Sequence, residues 1–94
     1  MTDDTYQRVV EAVEYWDTAW AKYRNTPIRA HRYTKRLAKL RVDHAENRLC
    51  RALTRYDQED KAAIVNGRRY AVEAGHYLSS SNFVACYDES GDRV

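Results

Sequence analysis

Tyr6, Val9, Val13, Trp16, Trp20 and Tyr23 recur at intervals of 3, 4, 3, 4 and 3 residues. That spacing gathers six large apolar groups on one side of an α-helix, whereas a strand would scatter them over both of its faces. A stripe this continuous has to be covered, so the chain must return and pack against it. Thr2, Asp3 and Asp4 offer N-caps and place negative charge where the helix dipole favours it, which predicts a first helix from about residue 3 to 24.

Asn25-Thr26-Pro27 then interrupts the pattern. Thr26 suits an N-cap and Pro27 the first helical position, where a missing N–H costs nothing. The second helix is predicted over residues 27–57. A short connection without glycine makes the two helices antiparallel neighbours. Folding the chain about that turn sets Tyr23 opposite Ala30, Trp20 opposite Tyr33, Trp16 opposite Leu37 and Val13 opposite Leu40. Val9 then meets His44 and Tyr6 meets Asn47, a polar pair suited to fixing register at the open end of the hairpin.

Beyond that point the second helix carries a different apolar set, Val42, Ala45, Leu49, Ala52, Leu53 and Tyr56, centred about 120° away on the helix circumference. The expectation is a helix that changes its buried side midway, between Leu40 and Cys50. The segment that follows supplies a partner for the second set. Ala62 to Val65, Asn66-Gly67 and Arg68 to Val72 form a β-hairpin pattern with a type I′ turn. Val65 should oppose Arg68 and Ala63 should oppose Tyr70, so that Ala63, Val65, Tyr70 and Val72 share one face. Phe83 to Tyr87 predicts a third strand, His76 to Leu78 an extension of the second past a bulge at Gly75, and residues 88–94 a frayed tail.

The predicted fold is therefore α+β and one domain over residues 1–94. A long antiparallel two-helix hairpin precedes a small antiparallel sheet of about three strands, packed on the C-terminal half of the second helix.

The net charge of +2 conceals a segregation: −4 over residues 1–21, +9 over 22–55 and −3 over 56–94. A polyanion would bind the middle segment, where Arg29, Arg32, Lys35, Arg36 and Lys39 flank the first apolar set. Arg41, Arg48, Arg51 and Arg55 form a second row, and Arg68 and Arg69 flank the hairpin turn. Pairing between the acidic first helix and the basic second is the competing use of these charges. Eight tyrosines and two tryptophans, with Tyr15 projecting off the stripe of the first helix, are the residue types that concentrate binding energy at protein interfaces.

Several classes find no support. The histidines and cysteines lack ligand spacing, with no CxxC or HxxxH, so no metal is expected. The three glycines build no phosphate loop and no nucleophile motif is present, so neither enzyme activity nor a cofactor is expected. No apolar run approaches the roughly 20 residues that span a bilayer. An acidic start without a signal pattern, and two widely separated cysteines, point to the cytoplasm and free thiols.

The function expected from these features is a small non-enzymatic binding protein acting on a larger protein or nucleoprotein. Its scale suits the accessory and inhibitor proteins that phages and mobile elements encode. Direct nucleic-acid binding through the second helix and the Arg68-Arg69 hairpin is the first alternative, and a self-associating structural protein the second, with a homodimer among the expected partners.

Overall fold

A computed structural model describes residues 4–27, 29, 31–74 and 82–94. Its elements are α1 (Asp4–Asn25), α2 (Arg32–Tyr56), β1 (Ala62–Val65), β2 (Arg68–Ala74) and β3 (Asn82–Tyr87). The fold is α+β: two antiparallel helices followed by a three-stranded antiparallel sheet in the order β1-β2-β3. Ala30, the N-terminal caps Thr2 and Asp3, and the expected extension through His76 to Leu78 lie outside the described residues. Among the described residues no helix is long and apolar enough to cross a membrane.

The first helix follows its stripe, with Val9, Val13 and Trp16 buried alongside the small residues Ala12 and Ala19. Its end differs from expectation. Thr26 does not open the second helix but closes the first: its N–H donates to the Tyr23 carbonyl at 3.2 Å and its hydroxyl to the Lys22 carbonyl at 2.8 Å. The second helix starts at Arg32 instead of Pro27, with His31 as N-cap, whose Nδ1 accepts the Tyr33 N–H at 3.1 Å. At the other end Asp57 turns the chain, its carboxylate accepting the N–H groups of Glu59 and Asp60 at 3.1 Å each.

The later start slides the helices past one another. The Tyr6 ring meets Tyr56 at a tilt of 54°, with centroids 5.5 Å apart, where Asn47 was expected. Trp20 meets Lys39 where Tyr33 was expected. As a consequence α2 buries one row along its whole length: Ala38, Val42, Ala45, Leu49 and Leu53. The expected change of buried side between Leu40 and Cys50 does not occur. Tyr33, Leu37 and Leu40, expected against α1, are exposed, and so are His44 and Asn47. Size complementarity accounts for this choice. The bulky Trp16 and Trp20 of α1 leave room opposite for alanine and valine, and leucine or tyrosine there would overpack the interface.

The hairpin forms as its turn chemistry dictates. Ala63 pairs with Tyr70 and Val65 with Arg68. Asn66 at φ 53° and Gly67 at φ 78° supply the two left-handed residues of a type I′ turn. In the second pairing, β2 with β3, Cys86 opposes Tyr70 and Val84 opposes Val72. The inward residues Ala63, Val65, Tyr70, Val84 and Cys86 join both helices in one core. The sheet also reaches α1, where the Trp16 ring meets Tyr70 edge-on at 5.9 Å.

Both sheet edges are closed by groups far away in sequence. On the β1 edge the Tyr6 hydroxyl donates to the Ile64 carbonyl at 2.8 Å. On the β3 edge Glu46 Oε2 accepts the Val84 N–H at 3.3 Å. The last residues do not fray as expected. Asp88 organises a turn by accepting the N–H groups of Ser90 and Asp92 at 2.9 Å. Arg93 then bridges Tyr87, and the Val94 N–H donates to the Cys86 carbonyl at 2.8 Å. Unpaired strand edges are templates for unwanted pairing, and these contacts remove several of the open positions.

Candidate partner-docking face

Burying Ala38, Val42, Ala45, Leu49 and Leu53 turns the opposite side of α2 outward. Tyr33, Leu37 and Leu40 lie on that side, roughly 150° round the helix from the centre of the buried row. They are 64%, 38% and 46% exposed, large apolar groups on consecutive turns. The same outward line continues through His44, Arg48, Arg51 and Arg55, all exposed. One helix face thus runs from an apolar half to a basic half.

The basic residues singled out in the sequence divide among several environments. Arg32 and Arg36 border the apolar half and Arg29 lies exposed in the connection before α2. Lys35 and Lys39 turn the other way, toward α1. The Lys35 ammonium sits 5.9 Å from the Tyr23 ring centre, and that of Lys39 sits 5.5 Å from Trp20 and 5.8 Å from Tyr23. Lys39 also lies 3.6 Å from Asp43 on its own helix, an exposed pair of small energetic consequence. Their aliphatic stems help cover the aromatic end of α1. The Arg48 guanidinium packs 5.7 Å from the ring of Tyr15, so these two residues form one joint patch spanning the helices. Arg51 Nε donates to the Asn47 carbonyl at 3.4 Å.

Arg68 and Arg69 do not join this face. They are neighbours on β2 and point to opposite sides of the sheet, Arg68 toward Asp17 of α1 and Arg69 to the side turned away from the helices. The helix and the hairpin turn therefore do not present one basic surface. Sequence reasoning missed Tyr33, Leu37 and Leu40 because it placed them in the core. The signal that separates them is residue size: the buried row begins with the small residues Ala38, Val42 and Ala45, whereas Tyr33, Leu37 and Leu40 are bulky.

Four titratable groups among the described residues are shifted upward by their surroundings: Cys50, Tyr70, Tyr87 and Asp17. Burial, with Glu46 beside it, pushes the Cys50 thiol up to about 11, so it stays protonated and unreactive at neutral pH. Burial, then the charge of Asp17, pushes the Tyr70 hydroxyl up to about 12. The Tyr87 hydroxyl, which donates to Glu73, is also raised. Asp17 is raised by burial against the opposing pull of Arg68 and Arg24. Among the described residues no three histidines, cysteines or carboxylates gather closely enough to hold a metal ion.

Cys50 and Tyr70 make the fold alkali-sensitive. Both hold their protons more tightly when folded, so the native chain binds more protons than the unfolded one once the pH exceeds the ordinary values of 9.0 and 10.0. Stability is then full below about pH 9 and falls as the pH rises toward 12. Melting temperatures across that range should decline steadily. In Tyr70→Phe the decline should be shallower, and an unchanged slope would mean that Tyr70 does not carry it.

Comparison with protein-family models, with curated proteins and with solved structures returns no match.

Proposed function

We propose that this chain is a non-enzymatic binding protein that docks on a larger protein through the outward face of α2. The element it receives is amphipathic and acidic. The observation that carries the reading is the exposed row Tyr33, Leu37 and Leu40. Apolar groups on successive turns at spacings of four and three residues match the anchors by which one helix lies along another. Each anchor releases on the order of 1.5–3 kcal/mol when taken from full exposure to full burial, and less from the partial exposure seen here.

The surrounding charge selects the partner. Arg29, Arg32, Arg36 and Arg41 border the row, and Arg48, Arg51 and Arg55 extend it. A second copy would bring arginines against arginines, which argues for a partner of opposite charge over self-association. Leucine at the centre of the face suits a protein surface better than phosphates, and the separation of Arg68 and Arg69 from α2 weakens the nucleic-acid alternative.

A photo-cross-linking residue in place of Leu37 should capture a protein from an extract of the source cells, and the same residue in place of Thr18, exposed on α1, should not. Leu40→Asp should abolish capture by the probe at position 37 while leaving the melting temperature within a few degrees of the parent. An adduct that disappears on nuclease treatment would transfer the assignment to nucleic acid. Equal capture at positions 18 and 37 would refute the docking face.

A further inference from the structure

On another side of the molecule, α1, α2, β2, β3 and the C-terminal residues border an open cleft of 470 Å³, within the size range of small-molecule sites. Its apolar walls include Trp16, Trp20 and Phe83, and Arg24, Arg68 and Arg93 also line it. The indole N–H groups of Trp16 and Trp20 are buried and have no hydrogen-bond partner among the described residues. The two rings meet edge-on, with centroids 6.3 Å apart, so the unmatched donors belong to adjoining side chains. Buried donors without partners are rare and costly, and two at one cleft require an explanation.

Two carboxylates, Asp17 and Glu46, also line the cleft, and Glu46 accepts the Val84 N–H. The guanidinium groups are not comparably matched. Among the described residues Lys39–Asp43 is the only ion pair within 4.0 Å, and Asp17 draws on Arg68 and Arg24 from farther away. Arg93 lies over the Phe83 ring at 5.4 Å. Three guanidinium groups against the two carboxylates of Asp17 and Glu46 leave an excess of positive charge beside an aromatic wall, and its complement is a group that carries negative charge on a flat apolar body.

The geometry points to this cleft as a binding site for a small aromatic carboxylic acid, its ring against Trp20 and Phe83 and its carboxylate drawn to Arg24, Arg68 and Arg93. The indole N–H groups donate to the same carboxylate once the side chains adjust around the ligand. The site is separate from the outward face of α2 and does not depend on the partner proposed for it.

The chain has only two tryptophans, and both line the cleft. Their indole N–H signals in a ¹H–¹⁵N correlation spectrum therefore report on this place alone. Titration with 2-naphthoate should move both signals saturably, and the uncharged isostere 2-naphthamide should bind at least about tenfold more weakly. Arg68→Gln and Arg93→Gln should each weaken 2-naphthoate by about tenfold, with the remaining spectrum showing that the variant is folded. Equal affinity for the acid and the amide would overturn the proposal. So would indole signals that stay fixed at millimolar 2-naphthoate, or arginine variants that bind as the parent does.

Discussion

Leu49→Ala is expected to destabilise the protein by about 2–5 kcal/mol, whereas Leu40→Ala should change stability by less than about 0.5 kcal/mol. The two leucines lie nine residues apart on one helix and differ in which side they take. Leu49 is 0% exposed, in the core shared by α1, α2 and the sheet, and its truncation leaves a cavity that neighbours on three elements cannot close together. Leu40 is 46% exposed, so alanine there removes side-chain area that water already reaches. A domain of this length has a total stability on the order of 5–15 kcal/mol, and the first loss consumes a large part of it. Urea titration of both variants reads the difference directly, the slope with denaturant showing whether the unfolding remains comparable. Comparable losses at the two positions would mean that α2 buries both sides and that no free face exists.

Trp16→Ala should cost about 3–5 kcal/mol. Trp16 is the α1 residue whose ring packs edge-on against both Trp20 and Tyr70, at 6.3 and 5.9 Å, and so links the first helix to the sheet. Its removal loosens two layers together. Trp16→Phe keeps an aromatic ring in place while deleting the unmatched indole donor, so the gain from removing that donor offsets part of the lost packing. The phenylalanine variant should therefore recover most of the stability lost by the alanine variant in guanidinium unfolding. If both variants lost the same amount, the ring contacts would not be what Trp16 contributes.

The parts of this fold that were legible in the sequence are those set by local chemistry. Asn66-Gly67 fixes a two-residue turn, and the turn fixes the pairing of Ala63 with Tyr70 without reference to anything distant. The stripe from Tyr6 to Tyr23 likewise needs only helical geometry. The buried side of α2 is a different kind of information. It depends on how far α2 slides along α1, and that depends on where the connection ends. Thr26 has the chemistry of a cap at either kind of helix end, and choosing between them moved every subsequent pairing. His31, a less common N-cap, gave no comparable signal.

The docking face inherited that uncertainty. The arginines and Tyr15 were visible because charge and residue type are properties of single positions. Tyr33, Leu37 and Leu40 were not, because an apolar residue is marked as surface only after the core has been filled. The cleft was invisible for the same reason. Arg24, Arg68 and Arg93 are far apart along the chain, and only the completed fold brings them to one place with Trp16 and Trp20.

The closure of the sheet edges bears on how the chain behaves while it is being made. Tyr6 and Glu46, which hold the Ile64 carbonyl and the Val84 N–H, both precede the strands they cover. A ribosome releases the chain N-terminal end first and slowly enough for helices to form within the time of a single addition. The helical hairpin is therefore free to assemble before the first strand emerges, and Tyr6 and Glu46 are in place when Ile64 and Val84 arrive. The reverse arrangement, strands first, would leave hydrogen-bonding edges open in a crowded cell for as long as the helices took to appear. In this chain the order of synthesis itself protects the sheet.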